Sequence, residues 1–177
     1  MADFVRWLAP VAIVAAQQCY AVQYLGVEQA QSAIFLEAGE FVPVPVKLSR
    51  EQAREIERLS GVRVRALEQR VWEARSDGRL LGWFMVDEVY GKHELITYAV
   101  GINADGTVRQ IEVMDYRETY GYEIRNPAWR RQFVGKRHGD TLKLDQDIKN
   151  ITGATLSCRH VTEGVKRLLA FRQVALH

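Results

Sequence analysis

The sequence predicts an α+β domain: an antiparallel β-meander of about four strands, packed with helices and closed by a C-terminal helix. Three observations carry this. Apolar residues recur at helical spacing near both ends, a period of two fills the middle, and turn residues interrupt that alternation at hairpin intervals. With 177 residues, 47% of them hydrophobic, and six Phe, seven Tyr and four Trp, the chain can build one packed core but not two full domains.

The N-terminus stands apart from this pattern. Residues 1–21, "MADFVRWLAPVAIVAAQQCYA", place Arg6 before an apolar run from Trp7 to Ala16 and end on Cys19-Tyr20-Ala21, with small residues where a signal peptidase requires them. They read as an export signal, with residues 22–177 as the domain that follows. The run is well short of the roughly 20 residues that span a bilayer. An uncleaved membrane anchor across residues 4–27 is the alternative, and both readings put the domain in the periplasm. Cleavage would leave Cys158 as the single cysteine, so no internal disulfide could hold the domain together.

The elements follow in order. "YLGVEQAQSAIF" spaces Leu25, Ala30, Ile34 and Phe35 as a short helix. "FVPVPVKL" is excluded from a sheet interior by Pro43 and Pro45 and reads as an extended edge or a linker. Ser49 and Gln52 form a capping box before a helix that carries Ala53, Ile56 and Leu59 on one face and stops at Gly61. From Val62 to Thr119 the period becomes two, in two hairpins turned by "SDG" and "ADG". "NPAWRRQFVG" is a helix begun by Pro127 and ended by Gly135, with Trp129 and Phe133 four apart. The last helix runs from about Thr155 to Val174, with Val161, Val165, Leu168 and Leu169 as its core stripe.

Charge excludes some functions. Lys+Arg number 24 against 22 Asp+Glu, a net charge of +2, so no global field favours nucleic acid or an acidic membrane. Arg125, Arg130, Arg131, Lys136 and Arg137 come close to a patch and read as a solvated face, with an anion site as the alternative. There is no CxxCH haem site, no paired-cysteine metal site, no P-loop and no NAD(P) fingerprint. Cys158 and His160 make only a lone Cys-x-His, so no metal site is assigned.

The chemistry gathers at "KNITGATLSCRH", residues 149–160. A helix start exposes unpaired N–H groups and the positive end of the peptide dipole, and small residues let an anion approach. Gly153 and Ala154 give that access; Thr152, Thr155 and Ser157 add hydroxyls, and Lys149 a cation. From the residues alone this is a phosphate or carboxylate site, or else an ordinary cap made by Thr152 or Thr155 beside a turn at Gly153.

The segment "DIKNITGATLSCRHVTEGVKRLL" resembles the FMN-binding domain of the C subunit of the sodium-translocating NADH:quinone oxidoreductase, of the G subunit of Rnf complexes and of small exported flavoproteins. The resemblance runs from about Tyr24 to Leu169 and includes Glu118-Thr119-Tyr120-Gly121, matching the family's Glu-Thr-x-Gly motif. It implies FMN joined by a phosphoester to the last threonine of Thr152-Gly153-Ala154-Thr155, hence to Thr155. It further implies an external, magnesium-dependent flavin transferase in the periplasm, since a threonine hydroxyl needs an activating base and none is adjacent in sequence. Glu118, Thr119 and Gly121 carry over as pocket residues.

Tyr116, Tyr120, Tyr122 and Trp129 are candidate stacking rings or else ordinary core or surface aromatics, and Lys149 or Lys136 is a candidate cation near the flavin or else a solvated lysine. Two positions depart from the family pattern. Lys149 stands where relatives commonly have Asp, and Gly91-Lys92-His93-Glu94 replaces a glycine-rich stretch. The function expected is an exported electron carrier between a membrane-associated donor and an extracytoplasmic acceptor. The alternatives are a flavin-dependent reductase with its own small substrate, or a non-redox FMN-binding or sensing module.

Overall fold

A computed structural model describes residues 25–176. The predicted signal of residues 1–21 lies outside the described residues, as does the alternative anchor of residues 4–27 up to residue 24. Among the described residues no helix is long and apolar enough to cross a membrane.

Five strands, one more than the sequence predicts, form an antiparallel sheet in the order β1 (Glu40–Lys47), β2 (Glu68–Ser76), β3 (Arg79–Tyr90), β4 (Leu95–Asn103) and β5 (Val108–Tyr116). The additional strand is "FVPVPVKL", at the edge beside β2, where Pro43 lies opposite Trp72 and Pro45 opposite Arg70. Two prolines two residues apart leave the same side of the strand without donors. That side faces away from β2, so the prolines cost no ladder bonds and block further strand addition.

The alternation read from Val62 becomes strand only at Glu68. Residues 62–67 are instead held by α2 (Arg50–Ser60): Val62 N–H donates to Ser60 Oγ at 3.1 Å and Val64 N–H to Glu57 Oε1 at 2.8 Å. α2 itself begins with the predicted capping box, Ser49 Oγ accepting from Gln52 N–H at 3.1 Å and Gln52 Oε1 accepting from Ser49 N–H at 2.9 Å.

Alternation along the strands sends two sets of side chains to opposite faces. One face carries Trp83, Met85, Ile96, Tyr98, Val100, Ile111 and Val113 against α2 and α4 (Thr155–Ala175). The predicted stripe Val161, Val165, Leu168 and Leu169 is wholly buried there. The other face carries Phe84, Val86, Ala99 and Met114 against α1 (Val27–Ile34), through Ala30, Ile34 and Phe35. Arg109 fastens the end of α1, donating from Nε to Ile34 O at 2.8 Å and lying 4.7 Å over the Phe35 ring.

The predicted helix 127–135 is shorter and broken. It consists of α3 (Pro127–Arg130), capped by Asn126 Oδ1 on Ala128 N–H at 2.8 Å, followed by a 3-10 turn at Arg131–Phe133. The sheet edge draws the chain out of the helix: Gly135 N–H donates to Val108 O at 2.8 Å and Val108 N–H to Lys136 O at 2.7 Å. Trp129 and Phe133 still meet edge to face at 5.1 Å. The expected solvated basic face holds in part: Arg131 and Arg137 are exposed, while Arg130 pairs with Glu112 and Lys136 with Asp147, these four only partly exposed.

Candidate functional site

Three segments meet at the N-terminus of α4: the β3–β4 turn at residues 91–94, the loop 117–121 after β5, and the loop 149–154. Each is tied to another by a specific contact.

The reading of Thr152 or Thr155 as the helix cap is not what the structure shows. The capping position is Ala154, which has no side-chain acceptor to offer, so the leading N–H groups of α4 carry no side-chain cap. Thr155 is the first helical residue and is half-buried; Thr152 and Gly153 are exposed. Gly153 has φ +85°, which turns the chain into the helix. A residue absent from the sequence reading governs the Thr155 hydroxyl. Asn150 Nδ2 donates to Thr155 Oγ1 at 3.0 Å, and the amide is oriented by Ile151 N–H, which donates to Asn150 Oδ1 at 2.8 Å. Asn five residues before Thr was the available signal, since such a pair closes a loop with one side-chain bond.

Gly121 joins the second segment to this one. Its φ is +90°, and a Cβ there would collide with the Ala154 methyl and lie 2.6 Å from the Tyr116 hydroxyl. That hydroxyl donates to Tyr120 O at 2.6 Å and lies 3.3 Å from Ser157 Oγ. Ser157 is buried and faces Tyr116, so it supports the helix start from beneath. Burial is the main cause that pushes the Tyr116 phenol up from its usual range.

Glu118 binds the third segment. Its Oε1 accepts backbone N–H bonds from Lys92, from His93 at 2.6 Å and from Glu94 at 3.1 Å. Burial alone would push this carboxyl up, but the three N–H groups outweigh it and hold the carboxyl below its ordinary range. Gly91-Lys92-His93-Glu94 therefore forms a small backbone nest around an acid. Thr119 is exposed on the same loop.

The aromatic candidates divide. Tyr116 and Trp129 are buried, Trp129 donating from Nε1 to Lys149 O at 2.8 Å, so both are core and neither offers an open face. Tyr120 and Tyr122 are exposed, and Tyr122 packs edge to face on Tyr116 at 5.7 Å. Leu156 on α4, and Tyr90 and Leu95 flanking the β3–β4 turn, are also exposed.

The cations divide as well. Lys136 is held 3.0 Å from Asp147, whose carboxylate also accepts N–H bonds from Leu142 and Lys143, so both belong to a loop clasp. Lys149 has its backbone fixed on both sides, N–H to Gln132 Oε1 at 2.8 Å and C=O to Trp129, while its side chain is exposed. Cys158 is fully buried, and burial pushes its thiol up to about 11, which removes it as a reactive group.

The helix start thus offers uncapped N–H groups, a hydroxyl fixed in direction, small residues on both sides and exposed rings nearby. That donor set suits a phosphate carrying a planar aromatic group.

Residues 91–170 match the family model described as the FMN-binding domain. The matched span includes the β3–β4 turn, the Glu118–Gly121 loop and most of α4. The chain is 27% identical over 146 residues to the G subunit of the Na(+)-translocating ferredoxin:NAD(+) oxidoreductase complex of Acetobacterium woodii, covering 77% of this chain and 69% of that protein. It is 34% identical over 118 residues to the C subunit of the Na(+)-translocating NADH-quinone reductase of Yersinia pestis, covering 58% of this chain but only 44% of that protein. In fold it is similar to NqrC of Shewanella oneidensis, with TM-score 0.55, 18% identity, and coverage of 85% of this chain and 90% of that one. It is likewise similar to the C subunit of the Na(+)-translocating NADH-quinone reductase of Parabacteroides distasonis, with TM-score 0.52, 17% identity, and coverage of 77% and 76%. All three segments of the site fall within residues 91–170, the part of the chain that matches the FMN-binding domain.

Proposed function

We propose that the chain is an exported electron-transfer flavoprotein with FMN joined through its phosphate to Thr155 Oγ1. The observation that carries this reading is the paired arrangement at α4, where the helix start lacks a side-chain cap and the Asn150 amide fixes the Thr155 hydroxyl. A phosphodiester at Thr155 would sit at the positive end of the 21-residue helix, whose dipole favours the charge that the diester retains.

The attaching step makes the Oγ1–phosphorus bond while the phosphorus bond to the donor's leaving group breaks. The hydroxyl proton leaves with a base. Asn150 is a donor and not a base, which supports a separate flavin transferase as the source of that base. Bound FMN supplies the redox chemistry, taking and giving one or two electrons. The chain's own residues position it: Gly153, exposed and with open space around it, leaves the helix start accessible to the phosphate, while Tyr120, Tyr122 and Leu156 give the ring an apolar surface. Similarity to subunits of two sodium-translocating redox complexes supports a membrane-associated redox partner.

Export rests on residues 1–21, and fusing them to a reporter that folds only outside the cytoplasm tests it. A reporter that stays inactive there refutes export. Covalent attachment is tested by co-producing the chain with a flavin transferase and denaturing it in acid. Flavin that stays with the precipitated protein, and is released from Thr155→Ala, fits the proposal; flavin freed from the unaltered chain contradicts it.

A further inference from the structure

The basic stretch that begins at Lys136 is a solvated face only in part: Arg137 is exposed, but the loop that carries it also lines a cavity. Lys136 turns inward to Asp147, and the chain beyond it folds over α4 to close a cavity of about 380 Å³. Four cationic or protonatable side chains line it, from two separate segments: Arg137, His138 and Lys143 from the loop, and Lys166 from α4. None of the four has an ion-pair partner among the described residues. One acid, Asp140, shares the lining, and its Oδ2 is already engaged by Arg137 N–H at 2.9 Å.

The walls concentrate this charge. Leu59 from α2, Leu142 and Leu169 line the same cavity, and a cleft with low-dielectric walls focuses the field of like charges set around it. The loop is also fixed in shape. The Asp147 carboxylate accepts N–H bonds from Leu142 and Lys143 at 3.0 and 2.7 Å, and Leu142 is buried with φ +38°, a left-handed conformation costly for a leucine. Holding Leu142 inward places its neighbours Thr141 and Lys143, both lining residues, beside the opening. Lys166 lies eleven residues after Thr155 on α4, about 16 Å along the axis at 1.5 Å per residue. The cavity is therefore separate from the flavin site.

We propose that this cavity is an oxyanion site that takes a phosphate group, from either free phosphate or an anionic lipid headgroup. Arg137 supplies a planar fork suited to paired phosphate oxygens, and Lys143 and Lys166 supply point charges.

The test uses the full-length chain without flavin, so that failure here is distinct from failure of flavin attachment. Calorimetric titration with inorganic phosphate at low salt gives saturable binding with a Kd on the order of 1 mM. The double variant K143Q/K166Q binds at least about tenfold more weakly, since each lysine removed is a charge-assisted bond lost. R137Q, a single change on the exposed side of the loop, also weakens binding and guards against misfolding of the double variant. R131Q, an exposed arginine outside the cavity, leaves binding unchanged.

Vesicles then separate the two sources. Retention on phosphatidylglycerol vesicles, in excess of retention on phosphatidylcholine vesicles and lost in K143Q/K166Q, assigns a lipid headgroup. Variant-sensitive phosphate binding with no such excess assigns the free ion. Absence of saturable binding up to about 10 mM phosphate, or equal binding by the unaltered chain and both cavity variants, overturns the proposal.

Discussion

Gly121 and Ala154 lie so close that no Cβ fits between them, and this contact holds the Glu118–Gly121 loop against the start of α4. Two motifs more than thirty residues apart in sequence become one site through the absence of a single carbon. Gly121→Ala sets that carbon against the Ala154 methyl and the Tyr116 hydroxyl at φ +90°. The expected cost is about 2–4 kcal/mol, from a strained backbone together with overpacking. Urea unfolding measures it, and flavin loading falls in parallel even at temperatures where the variant stays folded.

Asn150 controls the direction of the Thr155 hydroxyl through one hydrogen bond of 3.0 Å. Loss of a bond worth about 1 kcal/mol slows a step that depends on it by roughly five- to tenfold. Asn150→Ala therefore loads flavin more slowly by that factor while its far-ultraviolet circular dichroism is unchanged. A time course of flavin incorporation at saturating transferase checks it, and a rate equal to that of the unaltered chain removes the positioning role.

Glu118 links stability to pH. Its carboxyl is lowered in the fold, so the stabilisation is present above the unfolded value of about 4.3 and is lost as pH falls through the lower folded value. Glu118→Gln weakens the bonds to the 92–94 backbone and costs about 2 kcal/mol at pH 7. Thermal melting of both forms from pH 7 downwards shows the gap closing below about pH 4. A gap that stays constant across this range means that Glu118 does not hold the turn as a carboxylate.

Cys158 is inert in the folded protein, because it is buried and its thiol is pushed up to about 11. Iodoacetamide at pH 8 leaves the Cys158 peptide unlabelled in the native chain and labels it after unfolding. Peptide mapping by mass spectrometry distinguishes the two.

Local signals made much of this fold legible. The capping box at Ser49, the Asp77-Gly78 turn and the stripe from Val161 to Leu169 need only neighbours in sequence to be recognised, and all three appear in the structure. The strand status of Glu40–Lys47 was half legible, since Pro43 and Pro45 excluded a central strand but could not say whether a partner lay beside it. The site was legible as a motif and not as a set of contacts. Thr152 to Thr155 marked the helix start, but whether the cap was a threonine or Ala154 depended on backbone angles. Glu118 was named as a pocket residue, and its binding of residues 92–94 spans more than twenty residues of sequence. Trp129 and Lys136, offered as a ring and a cation for the flavin, were taken by Lys149 O and Asp147, partners that only the folded chain brings near.

The central claim is that one hydroxyl holds the flavin. Its most direct test is peptide mass spectrometry of the chain co-produced with a flavin transferase. The peptide containing Thr155 gains the mass of FMN less one water, and fragmentation places the addition on Thr155; Thr155→Ala carries none. The same addition on another residue, or a flavin-loaded Thr155→Ala chain, contradicts the account.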